Sequence, residues 1–549
     1  MRGLMMDEPL LVSDLIEHAA LNHGFQEIVS RTVEGPIHRY TYADALKRIK
    51  KLANALDRLG VQQGDRLATF AWNGYRHFEL YYAISGSGAV CHTINPRLFA
   101  DQIVFIVNHA RDRFIFLDVT FLALLEPLAD RLPHVEGYIL LADKDHMPET
   151  SLPNVMCYEE LVEPESDAFD WPRFDENTAS SMCYTSGTTG NPKGVLYSHR
   201  STVLHTFYQC NGEGFAMSSQ AVVLPAVPMF HANAWGLPYA VCMVGAKVVF
   251  PGAAYDGASI WELLDAEKVT FAAGVPTIWM MLLEYVRRDG KRFDHLTQTG
   301  IGGSAVPLAM VEAFEDEYEV QVFHAWGMTE TSPVGTTGAF NCKVAEMPLE
   351  RRRTYQIKQG RSIFGVRMKI VDDQGNSLPR DGETFGQLAV KGPWIVGAYH
   401  DNDEANATQF TEDGWFLTGD IATLDEFGYM TIVDRAKDVI KSGGEWISSI
   451  DLENAAVGHP GVAEAAVIGI SHPKWDERPL LVVVRSEGAE ISGPDVLSFL
   501  QGKIAKWWMP DAVEFVDELP HTATGKIAKL KLREQFEGYE LPGVADKPP

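Results

Sequence analysis

The chain has 549 residues, 46% hydrophobic and 22% charged, enough apolar material for a sizeable core and no stretch that reads as disordered. Acidic residues outnumber basic ones by 74 to 47, a formal charge of −27, which speaks against a nucleic-acid binder because such a partner needs a basic face. Six scattered cysteines (Cys91, Cys157, Cys183, Cys210, Cys242, Cys342) form no CxxC pair and no His–Cys cluster, which argues against a zinc site or disulfide scaffold and for reduced thiols in the cytosol.

At roughly 150 residues per domain the length predicts three or four folding units. The N-terminal MRGLMMDEPL meets two acids before any apolar run and is not expected to be a signal peptide. Thr41 with Asp44 reads as a capping pair, after which Leu46, Ile49, Leu52, Leu56 and Leu59 share one helical face, and Gly60 ends the run. Strand-like 67–72, a helix through Leu80 and Ile84, and strand-like 90–94, 114–117 and 138–141 follow. This alternation predicts an α/β fold with a largely parallel sheet.

The segment Ser181–Tyr184 reads as a strand end and Gly194–Tyr197 as a strand start, with TSGTTGNPKG at 185–194 between them. Small residues there let backbone N–H groups converge on phosphate oxygens, the hydroxyls add donors, and Lys193 offsets charge. It is not a Walker loop, because Pro192 precedes the lysine and Gly194 follows it. The apolar region 221–250 is broken by prolines, His231, Asn233 and Lys247, so it predicts a core and pocket wall in place of a membrane span. Near the C-terminus, 465–470, 480–484 and 513–516 are strand candidates with a helix around 495–504, marking a small separate unit. The charged run 434–438, followed by Ser442, Gly443 and Gly444, reads either as an exposed hinge or as an ordinary surface turn.

Seven further strings accompany the loop in order: PMFHANA at 228–234, GGSA at 302–305, AWGMTETS at 325–332, TGDI at 418–421, DRAKD at 434–438, SGGEWI at 442–447 and LPHTATGKI at 519–527. Together they resemble the acyl-adenylate-forming superfamily nearly end to end, within it the acyl-CoA synthetase branch. The resemblance implies a large N-terminal domain of stacked sheets and helices (1–434), a hinge (435–440), and a small mobile α+β C-terminal domain (441–549). It implies ATP, Mg²⁺ and CoA as cofactor and substrates, and a homodimer.

By that resemblance Thr185, Ser186, Gly187, Thr188, Thr189, Gly190 and Lys193 hold phosphates, while Trp326 stands where the family has an aromatic residue, usually tyrosine, against adenine. Indole stacks equally well but lacks the phenol hydroxyl. Gly303 and Ala325 admit the adenine edge, Thr329 suits the α-phosphate, and Glu330, with Thr185, is a hard-oxygen ligand for Mg²⁺. Asp420 and Arg435 take the ribose, Lys437 is the hinge residue, and Lys441 is a weaker nucleotide contact. Lys526 is expected to reach the carboxylate and α-phosphate, where a preorganised cation lowers the barrier. Ser442, Gly443 and Gly444 line a pantetheine tunnel, and no residue stands out as base for the thiol.

His231, Trp235, Gly302, Met328 and Pro333 are expected around the acyl group, with His231 at its junction with ATP. Trp235 either closes the pocket or gates a longer tunnel. The segments 228–240, 442–449 and 471–480 are similar to bacterial medium- and long-chain fatty acyl-CoA synthetases and to methylmercaptopropionate–CoA ligases. The acidic surface and the pair Trp235 and Trp326 favour the small thioether acid, with a long-chain fatty acid as the alternative. A peptide-synthetase module would continue into a carrier domain, a hydrolase would want GxSxG where Gly302–Val306 has no final glycine, and a non-catalytic nucleotide-binding regulator would be expected to have lost Lys526, Glu330 or Asp420. The C-terminal ADKPP carries no peroxisomal address.

Overall fold

The computed structural model describes residues 1, 3–185, 191–442, 445–486, 488–521 and 527–542. Contacts divide them into two compact units, one of 1–185, 191–367 and 391–408, the other of 368–390 and 409 onward.

In the first unit the capping box predicted at Thr41 is present: the Thr41 hydroxyl accepts from the Asp44 N–H, and the Asp44 carboxylate accepts from the Thr41 N–H. It opens the helix Tyr42–Arg58, whose Ala45, Ile49, Leu52, Ala53 and Leu56 are buried while Leu46 and Leu59 sit at the rim. The stripe repeats every three to four residues, so one face leaves water, which stabilises each large side chain by about 1.5–3 kcal/mol. Gly60 then turns left-handed at φ 73° and ends the run.

Two sheets form the body of this unit. One has seven strands in the order Val155–Cys157, Gly137–Leu140, Phe114–Leu117, Arg66–Phe70, Val90–Thr93, Ala179–Tyr184, Gly194–Ser198. All neighbours are parallel except the last pair, an antiparallel hairpin with Tyr184 opposite Gly194. The second has nine strands, with Lys247–Phe250, Val222–Pro225, Phe271–Gly274, Gln298–Gly302 and Gln321–Gly327 parallel in that order. Beyond them Val334–Thr337 and Arg361–Ser362 run antiparallel. Parallel strands covered on both faces read as continuous apolar runs, which is why VVF and FAA segments recur here without alternation. The core around Leu224, Ala272, Trp279, Ile301 and Phe314 packs helices Gly257–Ala266 and Pro276–Arg288 on this sheet.

In the second unit a four-stranded sheet orders Arg367–Val371, Gly386–Lys391, Phe416–Leu424 and Met430–Arg435. A five-stranded sheet is built on the long hairpin Val462–His472 and Asp476–Arg485, with Ala512–Val516 added in parallel. The helix expected near 495–504 runs Gly493–Leu500 and stops where Gln501 leaves helical geometry, one residue before Gly502 turns left-handed. Among the described residues no helix is long and apolar enough to cross a membrane. All six cysteines are free.

Candidate active site

In the first unit the loop expected to hold phosphate is closed at its base by two hydrogen bonds. The Thr185 N–H donates to the Lys193 carbonyl at 2.9 Å, and the Lys193 N–H donates to the Thr185 hydroxyl at 3.2 Å. Ser186, Gly187, Thr188, Thr189 and Gly190 lie outside the described residues. The Lys193 ammonium stands 5.0 Å from the ring centre of Tyr399, a cation–π contact. The Tyr399 hydroxyl donates to Glu330 Oε1 at 2.7 Å. The Tyr399 ring and the Glu330 carboxylate are both buried, and burial with the neighbouring Glu330 pushes the Tyr399 phenol far above its usual range, so it stays a donor. The Glu330 carbonyl accepts from Val396 at 2.8 Å, which ties the turn Thr329–Thr331 to the segment carrying Tyr399.

That turn is held from the hairpin as well, where the Tyr197 hydroxyl donates to the Thr329 carbonyl at 2.6 Å. Gly327 precedes it by necessity: a Cβ there would lie 1.9 Å from the Pro333 carbonyl oxygen, which accepts the Met328 N–H at 3.0 Å. Met328 and Pro333 are therefore neighbours. Gly302 and Ala325 are register partners on adjacent parallel strands, and Gly303 follows at φ 86°, open to solvent. Trp326 is buried and packs on Gly335, whose added Cβ would meet the indole at 2.5 Å. Trp235 instead approaches Gly302, its Cη2 3.2 Å from an added Cβ. The two indoles thus contact different strands.

His231, half-buried, leads directly into a segment whose backbone is left-handed throughout: Ala232, Asn233, Ala234, Trp235 and Gly236 have φ of 44°, 52°, 49°, 57° and 80°. Four of the five carry a Cβ, and left-handed helical geometry costs such residues about 1–2 kcal/mol each. The segment is buried and pinned. Asn233 Nδ2 donates to Ser181 Oγ at 2.9 Å, its Oδ1 accepts from Tyr81 at 3.4 Å, and Gln209 Nε2 donates to the Trp235 carbonyl.

In the second unit Asp420 and Arg435 are register partners on antiparallel strands, with Arg435 Nε 3.0 Å from Asp420 Oδ1. Asp420 is nearly inaccessible while the Arg435 side chain is 41% exposed, so the pair presents a guanidinium edge to the outside. Gly419 takes φ 75° to turn between Thr418 and Asp420. Lys437 is exposed in the turn after Arg435, and Lys441 is exposed on the short strand Ile440–Ser442 with its N–H donating to Glu477. Ser442 is buried and accepts from Arg478 at 3.2 Å. Gly443, Gly444 and Lys526 lie outside the described residues.

Two sequence-family models match: AMP-binding enzyme over residues 16–400 and AMP-binding enzyme C-terminal domain over residues 451–526. The chain belongs to the AMP-binding enzyme family. Its relatives include a 3-methylmercaptopropionyl-CoA ligase of Ruegeria lacuscaerulensis, 51% identical over 98% of this chain and 99% of that one. A medium-chain-fatty-acid–CoA ligase of Ectopseudomonas oleovorans is 47% identical over 98% of both chains. Among solved structures, the anthranilate CoA ligase AuaEII in complex with anthranoyl-AMP shares the fold at a TM-score of 0.85 and 24% identity, over 96% of this chain and 98% of that one.

Glu330 is the carboxylate expected to hold Mg²⁺ in this AMP-binding enzyme. Among the described residues no three His, Cys, Asp or Glu side chains cluster to hold a metal. One buried carboxylate, oriented by the Tyr399 hydroxyl, is the set that suits Mg²⁺ arriving on substrate phosphates, which takes one or two carboxylates and keeps its other ligands from phosphate and water.

Sequence reasoning missed Tyr399, Tyr197 and Gln209, which lie outside every motif and reach the site only through the fold. It also passed over Lys529, whose ammonium meets Glu453 at 2.8 Å and the Ser449 hydroxyl, while Ser449 donates to Asp434 at 2.9 Å through its N–H. Burial disfavours the charge on Lys529, but Glu453 and Asp434 outweigh it and hold its pKa above the usual lysine range. With Arg533 paired to Asp438 at 2.8 Å, the helix Lys529–Gln535 is tied to both ends of the turn that carries Lys437.

Proposed function

We propose that the protein joins a short or medium-chain carboxylic acid, 3-methylmercaptopropionate in the first instance, to CoA at the expense of ATP. It is an ATP-dependent, AMP-forming acyl-CoA synthetase. The observation that supports the assignment of roles is the chain Lys193–Tyr399–Glu330 at the foot of the Thr185 loop, a cation and an oriented carboxylate of the kind that the β- and γ-phosphates of ATP and their metal require. The acid is favoured by the 51% identity to a ligase named for it and by the Trp235 indole seated at Gly302, which suits a short chain.

In the first half-reaction a carboxylate oxygen attacks the α-phosphorus, a C–O–P linkage forms, and the bond to pyrophosphate breaks. Trp326, Gly303 and Ala325 hold adenine, Asp420 and Arg435 the ribose, Thr329 the α-phosphate, and Thr185 to Gly190 with Lys193 the β- and γ-phosphates. Lys441 adds a peripheral contact. His231 stands where acid and ATP meet, and Met328 and Pro333 complete the acyl wall. Lys526 supplies positive charge to the carboxylate and α-phosphate oxygens as charge builds there. Mg²⁺ held by Glu330 and Thr185 would neutralise phosphate charge and make pyrophosphate a better leaving group.

In the second half-reaction the CoA sulfur attacks the acyl carbon and AMP leaves. Ser442, Gly443 and Gly444 admit the pantetheine arm, and residues 441–549 turn about Lys437 between the two steps. Division by contacts groups 368–390 and 409–434 with the C-terminal residues, and the hinge at 435–440 is part of this proposal. A homodimer working in the cytosol, with reduced thiols, completes it.

A panel of carboxylates assayed for CoA-dependent AMP release tests the reading. Activity confined to acids of a few heavy atoms, led by the thioether acid, is expected. Strongest activity on palmitate would replace the substrate assignment with a long-chain fatty acid, and ATP turnover with no acid at all would overturn the ligase.

A further inference from the structure

Gln209 closes the last turn of the helix His199–Cys210 and is buried. Its two amide atoms are used unequally. Nε2 donates to the Trp235 carbonyl, while Oε1 is buried with no hydrogen-bond partner among the described residues. Gly236 makes room for it: a Cβ there would lie 2.8 Å from Gln209 Oε1 and 3.1 Å from the ring of His205. A buried amide oxygen without a donor costs stability, so this residue is a poor choice for packing alone. What it gains is a grip on one backbone carbonyl.

That carbonyl belongs to the residue whose indole reaches Gly302. On its other flank the left-handed segment is held by Asn233 through Ser181 and Tyr81. A backbone in this geometry persists only where its surroundings over-determine it, and releasing the anchor at Trp235 frees it to relax toward ordinary φ. Trp235 lies on the Gln209 side of the segment, with the Tyr82 hydroxyl on the Pro238 carbonyl at 2.9 Å as a further hold beyond it.

We propose that Gln209 is a positioning residue that sets acyl chain length: by holding the Trp235 carbonyl it fixes the indole against Gly302 and closes the acyl pocket behind a short acid. Trp235 then acts as a wall, and longer chains are refused because the backbone that would have to turn is clamped. The inference rests on Trp235 being the end of the acyl pocket, as proposed above.

The test compares wild type, Gln209→Met, Gln209→Glu and Trp235→Ala in full-length enzyme, measuring kcat/KM for 3-methylmercaptopropionate and for octanoate by AMP release. The quantity read is the ratio between the two acids, which does not depend on how much of a variant is folded. Gln209→Met keeps the volume and removes the donor; it is expected to raise the octanoate ratio about tenfold or more, the scale of discrimination by an apolar pocket. Trp235→Ala is expected to raise it at least as far. Gln209→Glu keeps the shape and donates while its carboxyl is protonated, so its ratio is expected near wild type at low pH and to climb as pH rises. An unchanged ratio in Gln209→Met beside a raised one in Trp235→Ala overturns the role of Gln209 and leaves the wall intact. An unchanged ratio in Trp235→Ala overturns the wall and, with it, this inference.

Discussion

Removing one hydroxyl at Tyr399 isolates the contact that orients Glu330. Tyr399→Phe keeps the ring beneath the Lys193 ammonium and deletes only the donor lying 2.7 Å from Glu330 Oε1. Hydrogen bonds to charged groups contribute about 1.5–3 kcal/mol, and leaving a buried carboxylate oxygen short of a donor costs a similar amount. At 1.36 kcal/mol per factor of ten, the expected loss in kcat/KM for ATP is about 10- to 100-fold. The assay is pyrophosphate release at fixed acid, with Mg²⁺ titrated at each ATP concentration, so that weakened metal dependence separates from weakened nucleotide binding. Glu330→Gln and the double variant complete a double-mutant cycle. If Tyr399 acts through Glu330, the double variant is no worse than Glu330→Gln. Independent, additive losses would refute the reasoning, because they would mean the phenol serves something other than the carboxylate.

Two further outcomes are expected. Lys526→Ala should lower acyl-adenylate formation about 10²–10³-fold while sparing thioester formation from supplied acyl-adenylate; equal losses in single-turnover measurements of both steps would remove the assigned role. His205 is held neutral by burial, its pKa lowered to about 3, and its Nε2 accepts the Val334 N–H at 3.1 Å. The unfolded chain protonates this imidazole below about 6.5, so it binds more protons than the folded state between 6.5 and 3, and the stability it contributes is lost as pH falls through that window. His205→Gln, which keeps an acceptor for Val334, should therefore lose less thermal stability than wild type between pH 7 and pH 5, by a few degrees in Tm; identical slopes would count against this account.

The second unit shows how the sequence and the fold divided the work. Asp420 and Arg435 were singled out because TGDI and DRAKD resemble the family's strings, and the structure places them as register partners 3.0 Å apart. Lys529 was not legible: a lysine among lysines near a chain end reads as solvated, and its burial against Glu453 and Ser449 exists only once the helix Lys529–Gln535 has docked.

By itself the sequence determined the class of chemistry, the order of the motifs and the alternating α/β pattern, since loop composition and apolar periodicity are local properties of the chain. The tertiary structure alone decided which side chains orient those motifs. Tyr399 meets Glu330 across 69 positions, and Gln209 holds Trp235 across 26. No local pattern encodes such pairs, because their energy comes from burial and hydrogen bonding that arise only when distant segments pack together.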